Sequence, residues 1–185
     1  NVPLIKIASG EITNHDLISY VAQMKKPIIL STGMSNITEL ASAVKILENN
    51  KCDFAILHCI SSYPTKINET NLSTIPFLKS LFNSPIGFSD HTVGVEASLA
   101  AVSLGACIIE KHFTLDKNME GPDQKISLDP IEFLDLTKRI RKIESSIGVP
   151  RLNPLKSELP FQKNMRKSIS LSRDVSNGTI LNNSM

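Results

Sequence analysis

Five short apolar runs punctuate the chain: Leu4–Ala8, Pro27–Leu30, Phe54–Leu57, Pro85–Phe88 and Cys107–Ile109. They are continuous rather than alternating, the pattern of parallel strands covered on both faces. Amphipathic stretches separate them. In His15–Lys25 the apolar residues Leu17, Ile18, Val21 and Met24 recur at three- and four-residue steps. Ser35–Glu48 does the same through Ile37, Leu40, Ala41, Val44 and Leu47, and Leu72–Phe82, Val95–Leu104 and Ile131–Ile147 complete the set of predicted helices. Asn14, Ser35 and Asp129 are placed to cap their helices, and Pro130 suits a first helical turn. Strand and helix thus alternate with a step of about 22 to 31 residues, which requires a parallel sheet.

The strand ends choose between two parallel architectures. An open doubly wound sheet concentrates its chemistry at a glycine-rich turn near the first strand. Here polar residues close every run instead: "KIASGEITN", "LSTGMS", "HCISSYPT", "FSDHT" and "IIEKHF". A (β/α)8 barrel gathers the C-terminal ends of its strands around one active site, so the expected fold is α/β, about the last five βα units of such a barrel. The pattern changes after Ile147. Gly148–Lys163 carries Pro150, Pro154 and Pro160 and is expected to be a linker, and Arg166–Leu181 alternates through Ile169, Leu171 and Val175 with a turn at Asn177-Gly178. The predicted organisation is therefore a barrel portion over 1–147, a linker over 148–164 and the start of a small β domain over 165–185. Asn1 opens the chain almost within a strand and Met185 follows an apolar segment, so the sequence is expected to be part of a longer protein and inactive by itself.

Composition adds exclusions. With 185 residues, 41% hydrophobic and 21% charged, a substantial core is available. The net charge of +2 is spread along the chain, which points away from nucleic-acid and membrane-surface partners. No apolar run approaches the roughly 18 residues of a membrane span. Cys52, Cys59 and Cys107 match no zinc spacing and are expected to be reduced, buried thiols of a cytoplasmic protein.

The strand ends carry a consistent chemistry. Ser9 and Glu11 share parity and would project together from an extended chain, as would Ser89 with His91 and Glu110 with His112. His91 and His112 close adjacent strands, about 5 Å apart between backbones, and can meet at one divalent ion. Asp90, Glu110 and Asp123 supply carboxylates nearby, and two imidazoles with oxygen ligands suit Mn²⁺, Mg²⁺ or Zn²⁺. On the opposite arc Lys6, Ser9, Ser31, Ser61 and Ser89 can hold a small phosphorylated or carboxylated anion. An anion cradle beside a metal suits the joining of an anionic reactant to a polarised carbonyl.

The motifs "KIASGEITN", "ILSTGMS", "LHCISSYPT", "GFSDHTVG", "IIEKHFTLDKNMEGPD" and "SLDP" resemble, in order, the N-acetylneuraminate (sialic acid) synthase family over Lys6–Ile147. The tail "MRKSISLSRDVSNGTIL" resembles the opening of that family's antifreeze-like (SAF) domain. The resemblance implies a cytoplasmic transferase that condenses phosphoenolpyruvate with an open-chain N-acetylated hexose, giving a nine-carbon 2-keto sugar acid and phosphate. It assigns Lys6, Ser9, Ser31, Ser61 and Ser89 to phosphoenolpyruvate, His91 and His112 to Mn²⁺ or Mg²⁺, and Glu11, Tyr63 and Asp123 to the sugar and the reacting carbons. It also implies a domain-swapped homodimer. Synthases of legionaminic and pseudaminic acid share most of these motifs, and "ASGE" and "LHC" lie nearer the sialic and legionaminic branches. Other phosphoenolpyruvate-dependent keto-deoxy sugar acid synthases, a metal-dependent hydrolase and a binding protein on an inactive barrel are the competing functions. The last predicts loss of Lys6, Glu11 or the histidine pair, and all are present.

Overall fold

The computed structural model describes residues 2–185, which fall into two compact units divided after Gly148. In the first, strands β1 (Ile5–Ile7), β2 (Ile28–Ser31), β3 (Phe54–Cys59), β4 (Ile86–Asp90) and β5 (Ile109–Lys111) alternate with helices α1 (His15–Gln23), α2 (Ile37–Asn49), α3 (Thr74–Leu81), α4 (Glu96–Ser103) and α5 (Pro130–Ile147). The sheet is wholly parallel and its order, β1-β2-β3-β4-β5, is the chain order. A flat sheet would hold β1 and β5 roughly 19 Å apart. Yet Lys6 Nζ on β1 lies 3.4 Å from Glu110 Oε1 on β5, so the sheet is curled into a half-barrel.

β3 and β4 are buried almost throughout, the continuous pattern expected of strands covered on both faces, while the edge strands β1 and β5 are only partly buried. Ile7, Ile28, Leu30, Ile56, Ile86 and Phe88 share one face and pack with the helices: Ile18 and Val21 of α1, Val44 and Leu47 of α2, Ile75 and Leu78 of α3, Ala97 and Ala101 of α4. The concave face carries Leu57 and Gly87 low down and the polar residues above. Gly87 is required there. A Cβ would stand 2.5 Å from both Ile108 O and Leu57 Cδ2.

Two predicted caps hold and one moves. Asn14 Oδ1 accepts from Leu17 N at 3.2 Å, and Asp129 forms a reciprocal capping box with Glu132 ahead of Pro130. α2 is capped by Asn36 rather than Ser35, because Asn36 has Glu39 three residues on to complete its own box. Ser35 Oγ instead donates to Thr32 O at 2.7 Å and closes the turn after β2. The exposed Cys107 departs from expectation too, since β5 begins only at Ile109, while Cys52 and Cys59 are buried.

In the second unit the expected linker contains a helix, α6 (Leu159–Met165), with Pro160 in its first turn. The alternation over Arg166–Leu181 forms no strand among the described residues, although Asn177-Gly178 does turn, with Thr179 N donating to Ser176 O at 3.1 Å. No helix of the described residues is long and apolar enough to cross a membrane.

Candidate active site

The C-terminal ends of the five strands surround a cavity of about 480 Å³. Lys6, Ser9, Ser31, Cys59, Ser61, Tyr63, Ser89, His91, Glu110 and His112 all line it. All five residues expected at the anion cradle, and both expected metal ligands, therefore meet in one place. The register explains the convergence. Cys59 pairs with Ser89 and Ser89 with Glu110, so three polar residues stand level on the concave face of β3, β4 and β5.

The cradle is built around Ser9 and a glycine that sequence reasoning passed over. Gly33 N donates to Ser9 Oγ at 3.0 Å, and Ser9 Oγ lies 3.5 Å from Cys59 Sγ. A Cβ on Gly33 would stand 2.2 Å from Ser61 Oγ and 2.8 Å from Ser9 Oγ. Gly33 thus keeps the floor open. The hydroxyl of Ser31, 1% exposed, has no hydrogen-bond partner within the protein. A buried hydroxyl left unpaired costs about 1–3 kcal/mol, so its place on the cavity wall marks where a polar ligand fits.

Across the cavity the rings of His91 and His112 lie 5.3 Å apart, edge to face, and the Tyr63 ring lies 4.1 Å from His91, tilted by 36°. His91 Nδ1 is 2.7 Å from the Ile60 carbonyl oxygen and 3.9 Å from Cys59 Sγ. The carbonyl can only accept, so it fixes the proton on Nδ1 and leaves Nε2 as a lone-pair donor. Thr65 secures that loop, its N donating to His91 O at 2.9 Å and its hydroxyl to Ser62 O at 2.8 Å. His112 Nδ1 lies 3.6 Å from Asp123 Oδ2. Asp123 comes from the loop before α5, which is tied back where Leu128 N donates to His112 O. One ring nitrogen turned to a carbonyl or carboxylate is how metal-binding histidines are oriented, although among the described residues no group of three or more ligating side chains converges, so the two imidazoles would need oxygen ligands from solvent or substrate to hold a divalent cation.

The two imidazoles differ electrostatically. Burial pulls His91 down, but Cys59, the Ile60 carbonyl and the negative charge of Glu110 outweigh it and hold the ring above its ordinary value. Burial and the neighbouring His91 hold His112 below its ordinary value despite Asp123 and Glu110.

Three polar residues at the strand ends, Glu11, His58 and Asp90, stand outside the cavity, and only Glu11 does so against its expected parity. Ser9–Glu11 is a turn of 3-10 helix, not extended chain, so Glu11 does not project beside Ser9. Its carboxylate accepts from Asn14 Nδ2 at 2.8 Å and lies outside the cavity lining. His58 faces the helix layer, where its Nε2 meets Thr70 O at 2.7 Å and its ring stacks on Phe88. Asp90 also turns outward. It accepts from Ser98 Oγ, Thr92 N and Thr92 Oγ1, and pairs at 3.1 Å with Lys111 Nζ, both side chains being sealed from solvent. Asp90 precedes His91 and Lys111 precedes His112, so this hidden pair fastens together the two strand ends that carry the imidazoles.

A curled parallel half-barrel with a polar cavity and a paired-imidazole rim at its strand ends places the chain among (β/α)-barrel-like folds with a candidate site at the strand C-termini. The chain belongs to the NeuB family, whose model matches residues 1–151. It is 52% identical over 182 residues to an uncharacterised protein of Methanocaldococcus jannaschii, covering 98% of this chain and 54% of that protein. It is 46% identical over 180 residues to the N,N'-diacetyllegionaminic acid synthase of Campylobacter jejuni, covering 96% of this chain and 54% of that one. The crystal structure of an N-acetylneuraminic acid synthetase from Leptospira borgpetersenii, solved with citrate, superposes with a TM-score of 0.83 at 39% identity. That superposition covers 91% of this chain and 60% of the other. The chain spans about half the length of the relatives it matches.

Proposed function

We propose that the protein condenses phosphoenolpyruvate with the open-chain form of an N-acetylated hexose, N-acetylmannosamine or a close relative, to a nine-carbon 2-keto sugar acid and phosphate. The observation that carries this reading is the convergence of Lys6, Ser9, Ser31, Ser61 and Ser89 with His91 and His112 on one cavity. Phosphoenolpyruvate offers a phosphate and a carboxylate, and the cradle offers one ammonium and four hydroxyls. His91 and His112 would hold Mn²⁺ or Mg²⁺, whose charge polarises the acceptor's aldehyde oxygen. With both reactants held side by side, C3 of phosphoenolpyruvate attacks the aldehyde carbon and positive charge develops at C2. Water adds there, and the tetrahedral intermediate expels phosphate. Tyr63 and Asp123 flank the imidazoles and are assigned to the sugar. Glu11 lies outside the cavity lining, so the role expected of it at the reacting carbons, stabilising the developing cation or taking a proton from the water, would require its carboxylate to leave Asn14 and turn inward. The tail from Arg166 is assigned to an antifreeze-like domain and the active form to a homodimer.

Similarity to a legionaminic acid synthase favours a second acceptor, that enzyme's diacetylated hexose. The test uses the complete reading frame with phosphoenolpyruvate, Mn²⁺ and each acceptor in turn: N-acetylmannosamine, the hexose precursors of legionaminic and pseudaminic acid, and pentose phosphates. Acceptor-dependent phosphate release with an N-acetylated hexose is expected. Release with none of the acceptors, or only with pentose phosphates, would overturn the proposal.

A further inference from the structure

One carboxylate in the cavity runs against its chemistry. Glu110 stands among groups suited to holding an anion. Its Oε1 accepts from Ser89 Oγ at 2.6 Å and lies 3.4 Å from Lys6 Nζ. A serine hydroxyl has one proton, so while Ser89 donates to Glu110 it cannot donate to a substrate anion. Lys6 likewise has its charge answered. With side chains 31% and 41% exposed, the Lys6–Glu110 pair is a weak one that a competing anion can break. Glu110 cannot simply stay in place beside a bound phosphate or carboxylate, because like charges at such range repel.

The strand shows where the carboxylate can go. His112 follows directly on β5, two positions beyond Glu110, and both line the cavity, and Glu110 pairs in register with Ser89, itself two residues before His91. The carboxylate therefore lies one strand step beneath the imidazole pair on the same cavity wall.

We propose that Glu110 is an internal counter-anion: it fills the anion cradle of the empty site, and a divalent cation at His91 and His112 draws it away and releases Lys6 and Ser89 to the anionic reactant. This rests on the assignment of the cradle to phosphoenolpyruvate made above. Glu110 then couples the two sites through its charge, alongside the Cys59 thiol, which lies 3.5 Å from Ser9 Oγ and 3.9 Å from His91 Nδ1. Anion binding is weak until the cation is present, and linkage requires that the anion tighten the cation by the same factor.

The experiment is calorimetric titration of the complete reading frame with phosphoenolpyruvate, with Mn²⁺ saturating or stripped by chelator, for the wild type and Glu110→Gln. Without cation, Glu110→Gln is expected to bind phosphoenolpyruvate roughly 5–10-fold more tightly than the wild type, since one unit charge has left the cradle. The gain from Mn²⁺ should shrink by a similar factor in the variant. In the wild type alone, Mn²⁺ affinity followed by electron paramagnetic resonance should rise on adding phosphoenolpyruvate by the factor seen in the reverse titration. A Glu110→Gln protein that melts like the wild type and binds phosphoenolpyruvate no better without cation overturns the proposal. So does a wild type in which the two ligands bind independently, a result that needs no variant to fold. Wild type that binds Mn²⁺ but no phosphoenolpyruvate under any condition would instead remove the assignment of the cradle, and this proposal with it.

Discussion

The two imidazoles of the cavity are alike in sequence and unlike in surroundings, and the difference is measurable. Replacing either His91 or His112 by alanine should weaken Mn²⁺ binding about 10–100-fold, read by electron paramagnetic resonance. Unchanged titrations would remove the pair as ligands. A cation competes with protons for both rings. His91, held above the ordinary value of about 6.5, protonates first as pH falls, so Mn²⁺ affinity should begin to drop above that value. His112, held below it, stays neutral longer. In the cation-free protein the signs oppose. His91 stabilises the fold fully below the unfolded value and loses that contribution as pH rises through its raised folded value. His112 contributes nothing when neutral in both states, and costs stability as pH falls through the unfolded value. Gly33 supplies a steric test. Gly33→Ala should lower phosphoenolpyruvate affinity at least about 10-fold, because the added methyl lands on Ser61 and Ser9 and presses on Cys59, an over-packing that should also cost about 1–3 kcal/mol of stability. An unaffected affinity would show that the cradle floor is not where the anion sits.

At the scale of the element, strands and helices were legible wherever the hydrophobic period was strong, and their ends were legible only where a cap was unambiguous. "NHDL" and "SLDPIE" each offer one good capping side chain and were placed correctly. "MSNITE" offers two, and only the Glu39 that completes a box with Asn36 decides between them. Asp129→Ala should therefore cost about 1 kcal/mol in denaturant unfolding, and Asn36→Ala about as much. A loss below a few tenths at both would mean that the boxes contribute nothing beyond solvent contacts. Strand parity found the cavity residues of β4 and β5, because both strands are extended up to Asp90 and Lys111. It failed for Glu11, because a 3-10 turn replaces the strand at Ser9 and no residue there forbids an extended chain. The alternation of Arg166–Leu181 forms no strand among the described residues for a related reason. A period of two states only what a strand would bury if a partner strand were there to pair with.

At the scale of the whole molecule, the barrel class was visible in the polar closing of every run, but the pairing behind it was not. Asp90 reads as a cavity carboxylate next to His91, and only the fold turns it toward Ser98 and Lys111. Removing one partner of such a sealed pair strands the other charge, so Asp90→Ala should destabilise by about 3–5 kcal/mol. Replacing both Asp90 and Lys111 with apolar residues of similar size should recover much of that loss, and the comparison of unfolding midpoints decides it. A double variant no better than the single one would locate the stabilisation in Thr92 and Ser98 instead. The strand order has a kinetic consequence as well. Each strand pairs with its neighbour in sequence, so every closure spans one helix and none waits on a distant segment. Closure entropy grows only slowly with length, which makes these steps comparable in cost. β3, the longest strand and buried at all but its first residue, is the natural place for assembly to begin, and growth can then proceed in both directions at once. Amide hydrogen exchange should register that history as a gradient, slowest in β3 and faster toward β1 and β5, so the lysine and the glutamate that meet across the cavity belong to the strands that arrive last and open first.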